Sequence, residues 1–104
     1  MNVKFKNTYL EKLYQGKAVP GKPKYGSDVV AKFKKTILRL KNADSLREIK
    51  SQRGLNFEAL KGNYKGHYSV RVDNSYRLIV TLEKDKDLKV MDVMLVNDLS
   101  NHYH

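Results

Sequence analysis

Two arginines, Arg71 and Arg77, flank a short polar turn and are well suited to hold an anion. A three-residue loop, Asp73-Asn74-Ser75, would pair strand residues whose numbers sum to 148 and place Arg71 directly opposite Arg77. Like charges that face each other on adjacent strands lower stability. A phosphate between two guanidinium groups would instead gain charge-assisted hydrogen bonds. The pair therefore predicts a phosphate site, unless the side chains point into solvent or pair with Asp73, Asp92 or Glu58.

The alternation of apolar residues decides between two possible turns. A two-residue turn, Asp73-Asn74, would pair numbers that sum to 147, and the apolar residues of the two strands would face opposite sides of the sheet. A sheet with one buried face does not allow that. The three-residue loop instead gives a shared core face formed by Tyr68, Val70, Val72, Tyr76, Leu78 and Val80. The opposite face then carries His67, Ser69, Arg71, Arg77, Ile79 and Thr81.

Further candidates surround the arginines. Glu58 is one residue out of step with Phe57, which follows the core pattern, so it should face the arginines as an ion-pair partner or a general base. Lys61 and Lys65 belong to a glycine-flanked loop, residues 60–66, that also contains Tyr64. This composition suits base stacking and backbone contacts, although ordinary hairpin loops share it.

The chain ends in His102-Tyr103-His104, which offers two imidazoles and a phenol. Together with His67 they could bind a metal, but a frayed polar tail explains them equally. No metal and no other cofactor is predicted.

Composition narrows the class of protein. The 104 residues are enough for one domain, residues 1–104, and the absence of cysteine excludes disulfides, thiolate catalysis and Cys-based zinc modules. The longest apolar run has four residues, so we expect no membrane span or signal peptide and a soluble cytoplasmic protein. The formal charge of +10 lies entirely in residues 1–53, which hold 14 basic and 4 acidic residues. An anionic partner is expected.

The periodicity of the sequence predicts helices followed by strands. Thr8 opens a short helix that ends at Gly16, and Ser27 or Asp28 caps a longer one that runs to about Asn42. Its core face carries Val30, Phe33, Ile37 and Leu40, and another face carries Lys32, Lys35 and Arg39. Ser45 and Glu48 form a capping box for a third helix.

From Leu55 onward the period changes to two. Four strands are predicted, around Leu55–Ala59, Tyr68–Val72, Tyr76–Leu82 and Met91–Leu95. In the last strand Met91, Val93 and Leu95 are expected on the core face, and Val90, Asp92 and Met94 on the other. The predicted fold is α+β, with two to three N-terminal helices packed on one face of an antiparallel, mostly meander β-sheet.

Several motifs together resemble those of a known family. Leu60-Lys61-Gly62, then Gly66-His67-Tyr68-Ser69-Val70-Arg71-Val72 and Tyr76-Arg77, resemble the signature of HigB-type toxins in the RelE/ParE toxin–antitoxin superfamily. Leu13-Tyr14-Gln15-Gly16 and the terminal His102-Tyr103-His104 resemble further family motifs. The resemblance implies a microbial-RNase-like fold, ribosome-dependent cleavage of messenger RNA without metal, and a HigA-like helix-turn-helix antitoxin. It also implies that the toxin alone is a monomer.

The resemblance assigns roles to the candidates. Arg71 and Arg77 would stabilise the transition state, and Lys61 and Lys65 would hold flanking phosphates. Glu58 or a terminal histidine would be the base, with His104 or Tyr103 as the acid. Lys32, Lys35 and Arg39 would meet ribosomal RNA.

Two positions depart from the family pattern: Glu58 replaces a histidine, and His102 replaces an acidic residue. Three alternatives therefore stay open. They are a ParE-like inhibitor of DNA gyrase, an inactive toxin that only binds its antitoxin, and a non-catalytic basic RNA-binding domain.

Overall fold

The computed structural model describes residues 1–84 and 93–102. The chain order is β1 (Asn2–Phe5), α1 (Thr8–Gln15), α2 (Ser27–Asn42), α3 (Leu46–Ser51), β2 (Glu58–Ala59), β3 (Tyr68–Arg71), β4 (Arg77–Glu83) and β5 (Val93–Ser100). Short 3-10 turns at Arg53–Leu55 and Gly62–Tyr64 flank β2.

The helix ends follow from local capping. The Asn7 side chain accepts a hydrogen bond from the Leu10 amide at the start of α1, and Gly16 ends that helix in the left-handed conformation, with φ of 74°. Ser45 caps α3 as predicted, by accepting from the Glu48 amide. The predicted cap of α2 is wrong: Gly26 occupies the cap position without a side-chain bond, and Ser27 already belongs to the helix.

The five strands form one sheet in the order β1-β5-β4-β3-β2. Strands β2 to β5 make the antiparallel meander, and β1 adds to β5 in parallel. On one face of this sheet, α2 buries Phe33, Ile37 and Leu40 against strand residues that include Val70 and Val80. The predicted α+β fold is confirmed. No helix in the described ranges has the length and apolar character needed to cross a membrane.

The predicted register of the β3–β4 hairpin is confirmed. Tyr68 pairs with Val80, Val70 with Leu78 and Arg71 with Arg77. Within the loop, the Asp73 carboxylate accepts hydrogen bonds from the amides of Ser75 and Tyr76, at 2.8 and 2.6 Å. This local bonding favours the three-residue loop.

The predicted faces of β5 are wrong. Met94, Val96 and Leu99 lie in the core. Val93 and Leu95 pair with Glu83 and Thr81 and face the other side of the sheet. The run Val93–Val96 is apolar throughout, so it contains no alternation from which a face could be chosen. An irregularity between Ile79 and Val80 shifts the pairing further along. Val90, Met91 and Asp92, whose faces were also predicted, lie outside the described residues.

The strand predicted at Leu55–Ala59 is also shorter than expected. Leu55 ends a 3-10 turn, and only Glu58 and Ala59 pair with β3. Leu55 is nevertheless fully buried, and the Phe57 ring stacks on Tyr68 at 5.0 Å. The prediction that Leu55 and Phe57 face the core is therefore confirmed, but the strand conformation predicted for these two residues is wrong.

Candidate active site on the arginine face

The sheet face away from the helices carries a row of polar residues across three strands. Arg71 of β3 pairs with Arg77 of β4, which pairs in turn with Ser100 of β5. Glu58 of the edge strand β2 pairs with Ser69, which is two residues before Arg71 and therefore shares its side of the sheet. We call this side the arginine face, defined by Glu58, Ser69, Arg71, Arg77 and Ser100.

Arg77 is held in a fixed orientation. Its Nε donates to the hydroxyl of buried Ser69 at 2.9 Å, and its Nη2 donates to the Asn56 carbonyl at 2.5 Å. Asn56 reaches this position with a positive φ of 43°, in the left-handed region that asparagine tolerates better than most residues. Two of the five N–H groups of the guanidinium thus orient it, which leaves up to three for an anion.

Arg71 is exposed and anchored within its own hairpin. Its Nη2 donates to the Asn74 side-chain oxygen in the loop that connects β3 and β4. Because Asp73 Oδ1 already accepts two backbone amides, the loop is ordered around both strand ends. The two arginines are thus direct cross-strand partners, of which Arg77 is half-buried and Arg71 is exposed.

The electrostatics of Arg77 combine three effects. Burial lowers the pKa of Arg77, the Glu58 carboxylate raises it, and the neighbouring Arg71 lowers it. The Glu58 carboxylate therefore acts on Arg77 across the sheet, as its predicted face required. An arginine keeps its charge under these shifts, so the site is a fixed positive charge beside one exposed carboxylate.

Strand β5 ends next to the arginine face, at Ser100, the partner of Arg77. Ser100 is buried, and its hydroxyl accepts the His102 amide at 3.1 Å. His102 is exposed, two residues beyond the pairing partner of Arg77. Tyr103 and His104, the other two terminal candidates, lie outside the described residues.

The predicted lysines occupy two different places. Lys61 and Lys65 are exposed on the connection between β2 and β3, beyond the Glu58–Ser69 pair as seen from Arg71. Near them the His67 ring meets the Tyr64 ring edge-on at 6.1 Å, and His67 Nδ1 is buried without a hydrogen-bond partner among the described atoms.

The structure does not bring the α2 cations to the arginine face. Lys32, Lys35 and Arg39 are exposed on the helical layer, on the other side of the sheet. Arg39 is engaged locally, because its Nη2 donates to Gln52 Oε1 at 2.8 Å. They therefore form a separate basic surface.

Three residues that orient the arginines were not assigned this role from sequence: Ser69, Asn56 and Asn74. Ser69 lies on the same side of β3 as Arg71 and pairs with Ile79, so Arg77 is its diagonal neighbour on β4, and this register was an available signal. The Asn56 carbonyl offered no such signal, because its approach depends on the fold.

Two further features of the surface bear on the chemistry. Residues 1–84 and 93–102 contain no group of three or more His, Cys, Asp or Glu side chains placed to hold a metal ion. A cavity of about 370 Å³ lies between β1, α1 and the end of α2, and none of the predicted site residues lines it.

Comparison with known proteins places this geometry in a family. A model of the RelE-like toxin of the type II toxin–antitoxin system HigB matches residues 3–97, a range that includes Glu58, Ser69, Arg71 and Arg77. The chain belongs to the HigB-like toxin family. The terminal His102-Tyr103-His104 of this HigB-like toxin lies beyond the matched range.

Solved structures share the fold of this HigB-like toxin at low identity. A YoeB/ParE toxin from Agrobacterium tumefaciens is 19% identical, with 99% of this chain and 100% of that chain covered and a TM-score of 0.60. A YafQ mutant from E. coli is 14% identical, with 97% and 92% covered and a TM-score of 0.60. A YoeB–YefM complex from Staphylococcus aureus is 20% identical, with 99% and 98% covered and a TM-score of 0.55. No curated protein sequence matches the chain significantly.

Proposed function

We propose that this HigB-like toxin is a ribosome-dependent endoribonuclease that cleaves messenger RNA and so inhibits translation. The observation that supports this most is the orientation of Arg77 by Ser69 and Asn56, directly opposite Arg71. Folding alone gives no reason to set two like charges across a strand pair. A phosphate that gains negative charge during cleavage gives such a reason.

The reaction is an attack of the ribose 2′-hydroxyl on the adjacent phosphorus. A base removes the hydroxyl proton, the 2′-oxygen bonds to phosphorus, and the bond to the 5′-oxygen breaks as an acid protonates that oxygen. The products are a 2′,3′-cyclic phosphate and a 5′-hydroxyl. The scheme needs only proton transfers and charge stabilisation, without a metal.

The residues of the arginine face supply these roles. Arg71 and Arg77 stabilise the pentacoordinate phosphorane, and Glu58 is the base, with a terminal histidine as the alternative base. His104 or Tyr103 is the acid. Lys61 and Lys65, which are exposed cations on the loop that leads into β3, hold flanking phosphates.

Dependence on the ribosome follows from the openness of this face. Arg71, Glu58 and His102 are all exposed, so the site by itself does little to orient a single-stranded message. The ribosome would hold the message in the A site, while Lys32, Lys35 and Arg39 on the helical layer contact ribosomal RNA. Correct orientation of the substrate can account for a large share of the lowering of a reaction barrier.

A HigA-like helix-turn-helix antitoxin is the proposed inhibitor, and the uncomplexed toxin is proposed to be a cytoplasmic monomer. Family membership supports an antitoxin partner. The similarity to the toxin of a YoeB–YefM complex is consistent with this partnership.

The test is translation of a defined message on 70S ribosomes, with RNA breaks mapped by primer extension. Wild type should produce breaks at A-site codons, and Arg77→Ala should produce far fewer in the same time. Arg47→Ala is the matched control, because Arg47 is an exposed arginine on α3. Bound but intact RNA would indicate a binding domain, and inhibition in a supercoiling assay without RNA breaks would indicate a gyrase inhibitor. Either result would contradict the proposal.

A further inference from the structure

Tyr25 lies just before α2, and its side chain reaches the end of β5. The ring is half-buried, and the hydroxyl donates to the Leu99 carbonyl at 2.8 Å. Strand β1 ends at Phe5, which pairs with Val96. After Val96, no described strand pairs with this edge of β5. The Tyr25 hydroxyl therefore bonds to the Leu99 carbonyl in the place of a neighbouring strand.

The same ring contacts the hairpin that carries the two arginines. Tyr25 meets Tyr76 edge-on, with ring centroids 5.8 Å apart and an interplanar angle of 79°. The Tyr76 carbonyl accepts the amides of Val72 and Asp73, at 3.0 and 3.2 Å, and so closes the hairpin loop. Tyr25 therefore contacts both the end of β5, through Leu99, and the β3–β4 hairpin, through Tyr76.

These two segments are the ones that must meet for catalysis. Leu99 immediately precedes Ser100, which pairs with Arg77 and accepts the His102 amide. The direction in which the terminal residues leave the sheet is therefore set within one residue of the Tyr25 hydrogen bond. A change at Leu99 would move Ser100 and His102 relative to the arginines.

We propose that Tyr25 is a positioning residue, which fixes the C-terminal end of β5, from Leu99 to His102, against the β3–β4 hairpin and so holds His102 beside Arg71 and Arg77. This role rests on the proposed function. Burial, with the Asp98 carboxylate nearby, raises the pKa of Tyr25 to about 12, so its hydroxyl is a hydrogen-bond donor at neutral pH. The ring and the hydroxyl act on different segments, and their effects can be separated.

The test compares Tyr25→Phe with Tyr9→Phe. Phenylalanine at position 25 keeps the ring against Tyr76 and removes only the bond to Leu99. The centroid of the Tyr9 ring lies 6.3 Å from that of Tyr25, but the Tyr9 hydroxyl accepts a hydrogen bond from the Lys24 amide. The two substitutions therefore remove the same group from neighbouring rings.

Two readouts are measured on each variant. In single-turnover cleavage on 70S ribosomes, Tyr25→Phe should lower the rate at saturation by roughly three- to tenfold, the range that one hydrogen bond supports. Its half-saturating ribosome concentration should stay unchanged. Amide hydrogen exchange at Ser100, Asn101 and His102 should become faster in Tyr25→Phe, and Tyr9→Phe should match wild type in both.

An unchanged saturating rate would overturn the positioning role, even if exchange became faster. A loss confined to ribosome affinity would also overturn it. If wild type itself cleaves nothing, the proposed function fails. The placement of Ser100, Asn101 and His102 by Tyr25 is then decided by hydrogen exchange alone, and equal exchange rates in the two variants would overturn it.

Discussion

Replacing Ser69 by alanine should release Arg77 and weaken both stability and catalysis. Ser69 is only 1% exposed, and its hydroxyl accepts a hydrogen bond from Arg77 Nε at 2.9 Å. A hydrogen bond to a charged group contributes about 1.5–3 kcal/mol. The Asn56 carbonyl still holds the other side of the guanidinium. We therefore expect the free energy of unfolding to fall by about 1–2 kcal/mol and the cleavage rate to fall roughly tenfold.

A double-mutant cycle isolates this bond. Ser69→Ala, Arg77→Ala and the double variant are unfolded in urea, and single-turnover cleavage is measured for the variants that retain activity. Because Arg77→Ala already removes the donor, Ser69→Ala should cost under about 0.5 kcal/mol in that background. Ser51→Ala is the control, since the exposed Ser51 hydroxyl donates only to the Glu48 carbonyl in α3. An equal cost of Ser69→Ala in both backgrounds would refute the assigned bond.

Three further predictions follow from the charges of the structure. The raised pKa of Tyr25, about 12, favours the folded state while the phenol is neutral, so stability should fall as pH rises from about 10 to 12. After discounting for exposure, urea unfolding should show a loss about 1–2 kcal/mol larger for wild type than for Tyr25→Phe; equal losses would contradict this origin. Glu58→Gln should slow single-turnover cleavage by about 10²–10⁴-fold if Glu58 is the base, whereas Glu83→Gln, at an exposed carboxylate on β4, should not. Replacing Lys32 and Lys35 by alanine should weaken ribosome binding and flatten its log–log salt dependence by roughly 0.7–0.9 per lost phosphate contact; an unchanged slope in a filter-binding titration would place the ribosomal contact elsewhere.

The sequence was sufficient to predict the geometry of the β3–β4 hairpin. Tyr68, Val70 and Leu78 alternate with polar residues, and only one turn length keeps them on the same face. The opposition of Arg71 and Arg77 followed from that constraint alone and is confirmed. Alternating residues specify the register of a strand pair where one face of the sheet is apolar and the other is polar.

The faces of β5 could not be predicted in this way, because apolar residues occupy both sides of the strand. Val93 is 4% exposed and Met94 is fully buried, so both sides of this central strand are covered. No periodicity separates them. The predicted N-cap of α2 was wrong for a different reason. The Ser27 side chain was suitable for capping, but the N-cap position lies one residue earlier, at Gly26.

The orientation of Arg77 was beyond the reach of sequence patterns. It depends on a carbonyl from Asn56, which is 21 residues away and has a positive φ between a 3-10 turn and β2. The link from Tyr25 to Leu99 spans 74 residues and depends on where β1 stops. Both contacts are products of tertiary packing, which local propensity does not encode.

The most direct test of the account is the rate of a single turnover on ribosomes programmed with a defined message. At saturating toxin, wild type should cleave the A-site codon and leave a 2′,3′-cyclic phosphate. Arg77→Ala should be slower by about 10²–10³-fold, the usual cost of removing a donor that stabilises transition-state charge, while its ribosome affinity changes little. Equal rates for the two proteins, or no cleavage by wild type, would contradict the assignment of Arg77 to catalysis.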